Sequence, residues 1–411
     1  ILEAYCDTDG IPTVAGLETL RPILACLVRA AHAAEAIGIE LLVHELGGLF
    51  DGLVEQALRL SANDRTALGG DRGPFGWSKR LARQLLDRVG DDELRLLAYR
   101  AWGVGRREAT SYVESLRSAS TASAWAETSL LRSDWSRKGA KLLLTHADGK
   151  VSMELETTVA LLSGEWTLRL DRNGRRLKPI DDWSVVCWHD DDGVAYLELE
   201  LEFEGAKIQR QALLAKEDRV LFLADALLAD DPASWDYRAT LSLASGTEFA
   251  PAVETREGTL TRSDNSGETT TVAAVVPLGL PEWRRPATDA GLERSDRELV
   301  SFAHFEGRRA YFPLFLDLKG ARASSPLTWR RLTVGEQLRI CDAETAVAYR
   351  VQVGWEQWIF YRSLAEAANR TFFGQNLVAD FFAGQFDAEG IVNDLLSIEE
   401  GNEDEAEDAA E

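Results

Sequence analysis

The run Val194-Ala195-Tyr196-Leu197-Glu198-Leu199-Glu200-Leu201-Glu202-Phe203-Glu204 decides the fold. Ala195, Leu197, Leu199, Leu201 and Phe203 alternate with Tyr196, Glu198, Glu200, Glu202 and Glu204, the period-2 pattern of a strand with one buried and one wet face. On both sides of it, turn dipeptides recur: Asn173-Gly174, Asp192-Gly193, Glu204-Gly205, Ser266-Gly267, Glu306-Gly307, Lys319-Gly320 and Glu389-Gly390. Between them lie short strand-like stretches at Val151–Val159, Glu165–Leu170, Trp183–His189, Lys207–Leu214, Arg219–Leu227, Arg309–Asp317, Ala346–Val353, Gln357–Tyr361 and Phe381–Phe386. Many short strands without intervening helices predict one continuous antiparallel sandwich over Lys141–Ile398.

Upstream the period changes to 3.6. Leu42, Leu46, Leu49, Leu53, Ala57 and Leu60 share one helix face, and Ser78–Val89 and Asp91–Trp102 read as two further helices, with Asp91 and Asp92 placed to cap the second. Pro22 suits the start of an earlier helix, and Ser61–Phe75 has loop chemistry. The fold class expected is therefore α+β: a helical domain of four or five antiparallel helices over 1–118, a connector over 119–139, an antiparallel β-sandwich over 140–398, and an acidic disordered tail over 399–411. In that tail eight of thirteen residues are Asp or Glu and none is basic, which suits either a solvated segment or a docking tail for a basic partner.

At 411 residues two domains are expected. The formal charge of −23, from 68 acidic and 45 basic residues, disfavours nucleic acid and anionic membranes as partners. No run approaches 18 consecutive apolar residues, so no membrane-spanning helix is expected. The chain opens at Ile1 with no signal-peptide pattern and reads as processed or as lacking residues upstream; its compartment is not legible. Cys6, Cys26, Cys187 and Cys341 form no CxxC pair; four buried free thiols are the expectation, with two disulfides as the alternative.

Five histidines, at 32, 44, 146, 189 and 304, show no metal or triad spacing, and there is no HExxH, GxSxG or P-loop. No metal and no cofactor is expected. Two clusters stand out. Trp183, Cys187, Trp188 and His189, followed by Asp190–Asp192, offer rings, an imidazole and carboxylates at a strand end, suited to a sugar or a divalent cation; in the plainer reading Trp188 is core and the aspartates make a turn. Arg169, Arg172, Arg175, Arg176 and Lys178 surround the Asn173-Gly174 turn and suit a carboxylated polysaccharide or an acidic tail, or form a solvated hairpin tip. Trp166, Trp235, Trp329, Trp355 and Trp358 are expected in the core.

Helices followed by a long multi-strand sandwich resemble the heparinase II/III-like polysaccharide lyases. The likeness is carried by Lys207, Gln209, Arg210, Gln211, Leu213 and Leu214 running to Arg219–Leu223 and Asp225, and by Trp358, Phe360, Tyr361, Arg362, Asn369, Arg370, Phe372, Phe373, Asn376 and Asp387. The resemblance implies a partial α/α toroid before the sandwich and β-elimination on a uronate-containing glycan. In such a reaction an Asn or His neutralises the carboxylate and a Tyr or His removes the C5 proton. Tyr99, Tyr112 and His146 are the nearest candidates by position. The helical part is short for a family toroid, so a lyase incomplete or inactive as this chain alone is the reading. A non-catalytic carbohydrate-binding module and a structural or assembly protein, using the sandwich and the tail for protein contacts, are the alternatives.

Overall fold

The structure, a computed structural model, describes residues 2–64, 66–70, 77–89, 91–104, 116–263, 267–285 and 287–399. Its helices are α1 (Val14–Leu17), α2 (Leu20–Glu35), α3 (His44–Arg59), α4 (Lys79–Leu86) and α5 (Asp92–Trp102). The capping chemistry read from the sequence is present. Ser78 Oγ accepts from the Leu81 N–H at 3.1 Å, and Asp91 Oδ1 accepts from the Glu93 N–H at 2.8 Å. Gly103 ends α5 in the left-handed region at φ +65°, which a glycine adopts without a Cβ penalty. Leu20, Leu24 and Val28 of α2, Phe50, Leu53 and Ala57 of α3, and Leu94, Leu97 and Ala101 of α5 form one apolar core. These helices pack as a bundle and do not by themselves outline a toroid. The acidic segment 400–411 lies outside the described residues.

The stretch expected as a connector carries strands instead. The first arm of the main sheet is β1 (Thr121–Ser123), β2 (Thr128–Arg132), β3 (Lys141–Thr145), β4 (Ser152–Glu156) and β5 (Ala160–Arg172), antiparallel throughout. The Ser/Ala/Thr composition of 118–129 resembles a linker, yet β2 and β3 are buried on both faces. Leu130 and Leu143 point into the helical core, while Leu131, Leu142 and Leu144 point into the sandwich. Arg132, buried beside them, donates from Nη1 to the Leu58 and Arg59 carbonyls at 3.1 and 2.6 Å and from Nε to the Asp134 carbonyl at 2.8 Å. A cation thus closes the C-terminus of α3 from the strand side.

The remaining strands of the main sheet are β6 (Arg175–Arg176), β7 (Ser184–Asp190), β8 (Val194–Phe203), β9 (Ala206–Ala215), β10 (Val220–Leu243), β11 (Thr247–Pro251), β12 (Gly258–Ser263), β13 (Thr269–Pro277), β14 (Ala290–Ser295) and β15 (Glu298–Asp317). β10 and β15 pair along their length as a spine, with a register shift between Leu228 and Ala233. Glu306-Gly307, expected as a turn, lies inside β15 opposite that shift, so the glycine there serves a bulge. The first half of β10 pairs with β9 and the second with β5, so the sheet splits into two arms, β1–β5 and β7–β9. The arms face each other across Leu142, Leu155, Leu162, Leu197, Leu199, Leu214, Leu223 and Trp235.

Two further layers follow. β16 (Leu327–Leu332), β19 (Ala346–Val353), β20 (Glu356–Ser363), β23 (Phe381–Phe386) and β24 (Val392–Ile398) make a five-stranded sheet, and β17 (Gly335–Glu336), β18 (Arg339–Ile340), β21 (Arg370–Phe372) and β22 (Gln375–Leu377) a small four-stranded one. The five-stranded sheet buries Trp329, Tyr349, Val351, Trp358, Phe360 and Phe381 against the second face of β8–β10. The expected single double-layer sandwich is therefore a stack of antiparallel layers. The expected wet face of β8 is also dry in part: Glu198 is buried and meets Arg362 Nη2 at 2.8 Å from the neighbouring sheet.

Candidate functional site

The turns at one end of the first arm converge on a groove of about 360 Å³. Its floor and walls are Trp166, Leu168, Leu170, Leu201 and Phe203 from the strands and Trp183 from the approach to β7. Its rim carries Lys150, Arg176 and Lys178. That is the size and mixture of a small-ligand site: apolar and aromatic walls with a few charged groups at the edge. Lys150 Nζ lies 3.0 Å from Glu165 Oε1, an exposed pair that leaves the ammonium available to an anion. Arg176 Nε donates to Asp171 Oδ1 at 2.6 Å, and Arg169 Nε to Asp171 Oδ2 at 3.0 Å. Burial works to raise the Asp171 pKa, but the two guanidinium hydrogen bonds outweigh it and hold the carboxyl below its ordinary range.

Beside the groove, three turns gather carboxylates. Glu127 sits between β1 and β2 with φ +52°, Asp148 follows β3 with φ +54°, and Asp182 precedes Trp183. Burial, followed by the charges of Asp148 and Asp182, raises the pKa of Glu127. Trp125, in the same turn as Glu127, is exposed. His146 lies beneath these turns, its backbone N–H donating to the Glu127 carbonyl at 3.1 Å. The imidazole is 2% exposed, and neither ring nitrogen has a hydrogen-bonding partner among the described residues. Burial lowers its pKa; the backbone of Trp183 lies close enough to offset part of the shift without reaching hydrogen-bonding geometry.

The sequence candidates divide accordingly. Trp183, Arg176 and Lys178 meet in the groove, and His146 lies behind Trp183. Trp183 is 5% exposed and belongs to the sandwich core, with one face covering the Arg210 guanidinium at 4.7 Å, so it forms wall and not an open stacking platform. Arg172 is turned away, over the Trp235 ring at 5.5 Å, and Arg175 is exposed on the two-residue strand β6. Trp188 packs half-buried against the sandwich core. His189 Nε2 is 3.1 Å from Asp191 Oδ2, and Asp191 Oδ1 accepts from the N–H groups of Gly193 and Val194 at 2.8 and 2.7 Å, so this cluster builds its own hairpin turn. Tyr99 is half-buried on α5 and makes no hydrogen bond to His146; Tyr112 lies outside the described residues. Sequence reasoning missed Glu127, Asp148, Lys150 and Asp182. The turn pair Asp148-Gly149 was the available signal, since it reverses the chain beside the groove.

Trp166, Trp235, Trp329 and Trp358 are core, as expected from their strand positions. Trp355 is not: at the tip of the β19–β20 hairpin it is 97% exposed.

No family profile matches the sequence, and no curated protein does. Solved structures do. A heparinase III gene product superposes with a TM-score of 0.59 at 12% identity, over 88% of this chain and 60% of that one. A heparan sulfate lyase from Pedobacter heparinus gives 0.57 at 12% identity, over 89% and 61%, and a further heparinase III gives 0.55 at 12%, over 88% and 62%. The chain has a heparinase-like fold. It spans about three-fifths of the length of these proteins.

Proposed function

We propose that this chain is a heparinase II/III-like body that binds uronate-containing polysaccharide in the groove at the end of the β1–β5 arm, in a protein of the lyase type acting by β-elimination, and that this chain alone does not turn substrate over. The observation that carries the binding half is the juxtaposition of Lys150, Arg176 and Lys178 with Trp166 and Trp183 around about 360 Å³ in a chain of net charge −23. Cations gathered on such a surface suit a carboxylated sugar, whose ring carbons meet the apolar wall. The partial toroid implied by the fold would lie on the helical side, next to β2 and β3.

The second half follows from what β-elimination requires. A base must reach the C5 proton and a neutralising group must meet the carboxylate, both at about 3 Å in one cleft. His146 is sealed behind Trp183, and Tyr99 does not join it. This favours non-catalytic carbohydrate binding by the isolated chain as the second reading.

The test separates binding from turnover. Heparin, alginate and hyaluronan are incubated with the full chain while absorbance of the unsaturated uronate product is followed, and binding of oligosaccharides is measured calorimetrically. Binding without turnover is expected, weakened about tenfold by Arg176→Ala/Lys178→Ala through loss of charge-assisted contacts. Turnover lost on changing Tyr99, Tyr112 or His146 would overturn the second half, and binding indifferent to the groove substitutions would overturn the first.

A further inference from the structure

The outer face of the five-stranded sheet is only half covered. The small sheet seals Ala346, Ala348, Ile359, Tyr361 and Phe382 with Val334 and Phe372. Beyond that cover, Arg330 on β16 stands directly opposite Arg350 on β19. Like charges directly across an antiparallel pair repel. Among the described residues no carboxylate pairs with either: Arg330 makes no hydrogen bond or ion pair. Arg350 donates only to neutral groups, from Nε to Gln357 Oε1 at 2.9 Å and from Nη2 to Gln352 Oε1 at 3.4 Å. Its guanidinium is further fixed over the rings of Phe373 and Phe386, at 5.6 and 5.7 Å. Burial first, then the Arg330 charge, lowers the Arg350 pKa, which marks an uncompensated positive field.

The acids bordering this face are engaged or distant. Glu282 accepts from the Thr328 hydroxyl and from the Trp329 N–H, and Asp394 sits on β24, three strands from Arg350 and so roughly 14 Å away. In a chain with 68 acidic residues, two facing arginines without an acid form a cationic site held open. Gln352 and Gln357 pair directly on the same hairpin, and its tip carries Trp355, almost wholly exposed. Arginine, amide groups and a bare indole together suit an anionic saccharide better than a simple anion, because the pyranose C–H face also packs on the ring.

We propose that this open half of the sheet is a second saccharide site, taking a carboxylate or sulfate group between Arg330 and Arg350 and a sugar ring against Trp355. The choice of a glycan rests on the reading of the groove above; the site itself does not.

The full chain carrying Arg176→Ala/Lys178→Ala is titrated with a heparin tetrasaccharide, with and without Arg330→Ala, and unchanged thermal midpoints establish that each variant is folded. Residual binding in the groove variant is expected, reduced about tenfold by Arg330→Ala. Trp355→Ala is expected to weaken the tetrasaccharide while leaving inorganic sulfate unaffected. If Arg330→Ala changes nothing, this inference fails and the groove reading stands. If the groove variant binds as the parent does and Arg330→Ala removes binding, the groove reading fails and this one stands. Binding that appears at this face only after residues 400–411 are deleted assigns it to the acidic tail and overturns the saccharide.

Discussion

Arg210 meets Asp225 through two parallel hydrogen bonds, Nε to Oδ1 at 2.8 Å and Nη2 to Oδ2 at 2.9 Å, with both side chains buried. Trp166 and Trp183 close on the guanidinium at 4.0 and 4.7 Å, and the Tyr237 hydroxyl donates to Asp225 Oδ2 at 2.8 Å. The pair ties β9 to β10 directly beneath the groove wall. Breaking it one side at a time leaves a buried charge without its partner. Asp225→Ala is expected to cost about 3–5 kcal/mol in urea unfolding, whereas Arg210→Met/Asp225→Leu costs less than the single change. Equal losses for the two variants would sink this account.

Arg132 predicts a local effect. Replacing it by Met removes the guanidinium hydrogen bonds to the Leu58, Arg59 and Asp134 carbonyls, for about 2–4 kcal/mol. Hydrogen exchange should quicken at the end of α3 and in β2 while β19 and β20 keep their protection. A uniform change across all layers would contradict a local capping role.

His146 sets a dependence on acid. Its folded-state pKa lies below the ordinary value, so the unfolded chain binds the proton more readily. The stability this group contributes is present above the unfolded pKa of about 6.5 and is lost as pH falls below it. His146→Phe is expected to flatten the stability curve as pH falls below the unfolded pKa of about 6.5. A parallel shift of the whole curve would show that the imidazole takes up its proton over the same pH range in both states.

Glu127 has the opposite sign. Its pKa is raised in the folded state, so its contribution is favourable below the unfolded pKa and is lost as pH rises through the folded one. Glu127→Gln is expected to raise the melting temperature at neutral pH and to have no effect in strong acid, where the carboxyl is protonated anyway. Destabilisation at pH 7 would mean that the carboxylate has a favourable partner at this site.

The alternation in Val194–Glu204 was enough to find β8, because its apolar positions face one core over the whole length. It could not reveal that Glu198 is buried, since the cover comes from Arg362, 164 residues later. Asp225, prominent in the stretch that resembles the lyases, is a buried ion-pair partner of Arg210 in this chain. Residues 118–129 look like a linker because most of their side chains are small and polar, yet β1 there is half-buried and β2, which begins at Thr128, is buried on both faces. The candidate site was legible at Trp183, Arg176 and Lys178. Its acidic side was not, because Glu127, Asp148 and Asp182 come from three separate turns that only the folded sheet brings together.

The long spine formed by β10 and β15 also bears on the order of synthesis. β10 ends at Leu243, and its partner is complete only at Asp317, roughly 70 residues later. At about 5–20 residues per second, one edge of a 24-residue strand stays unpaired for roughly 4–15 s on the ribosome. An open edge of that length is the kind that recruits another chain. A nascent polypeptide stalled between residues 243 and 317 is therefore the species in which a holding chaperone matters most.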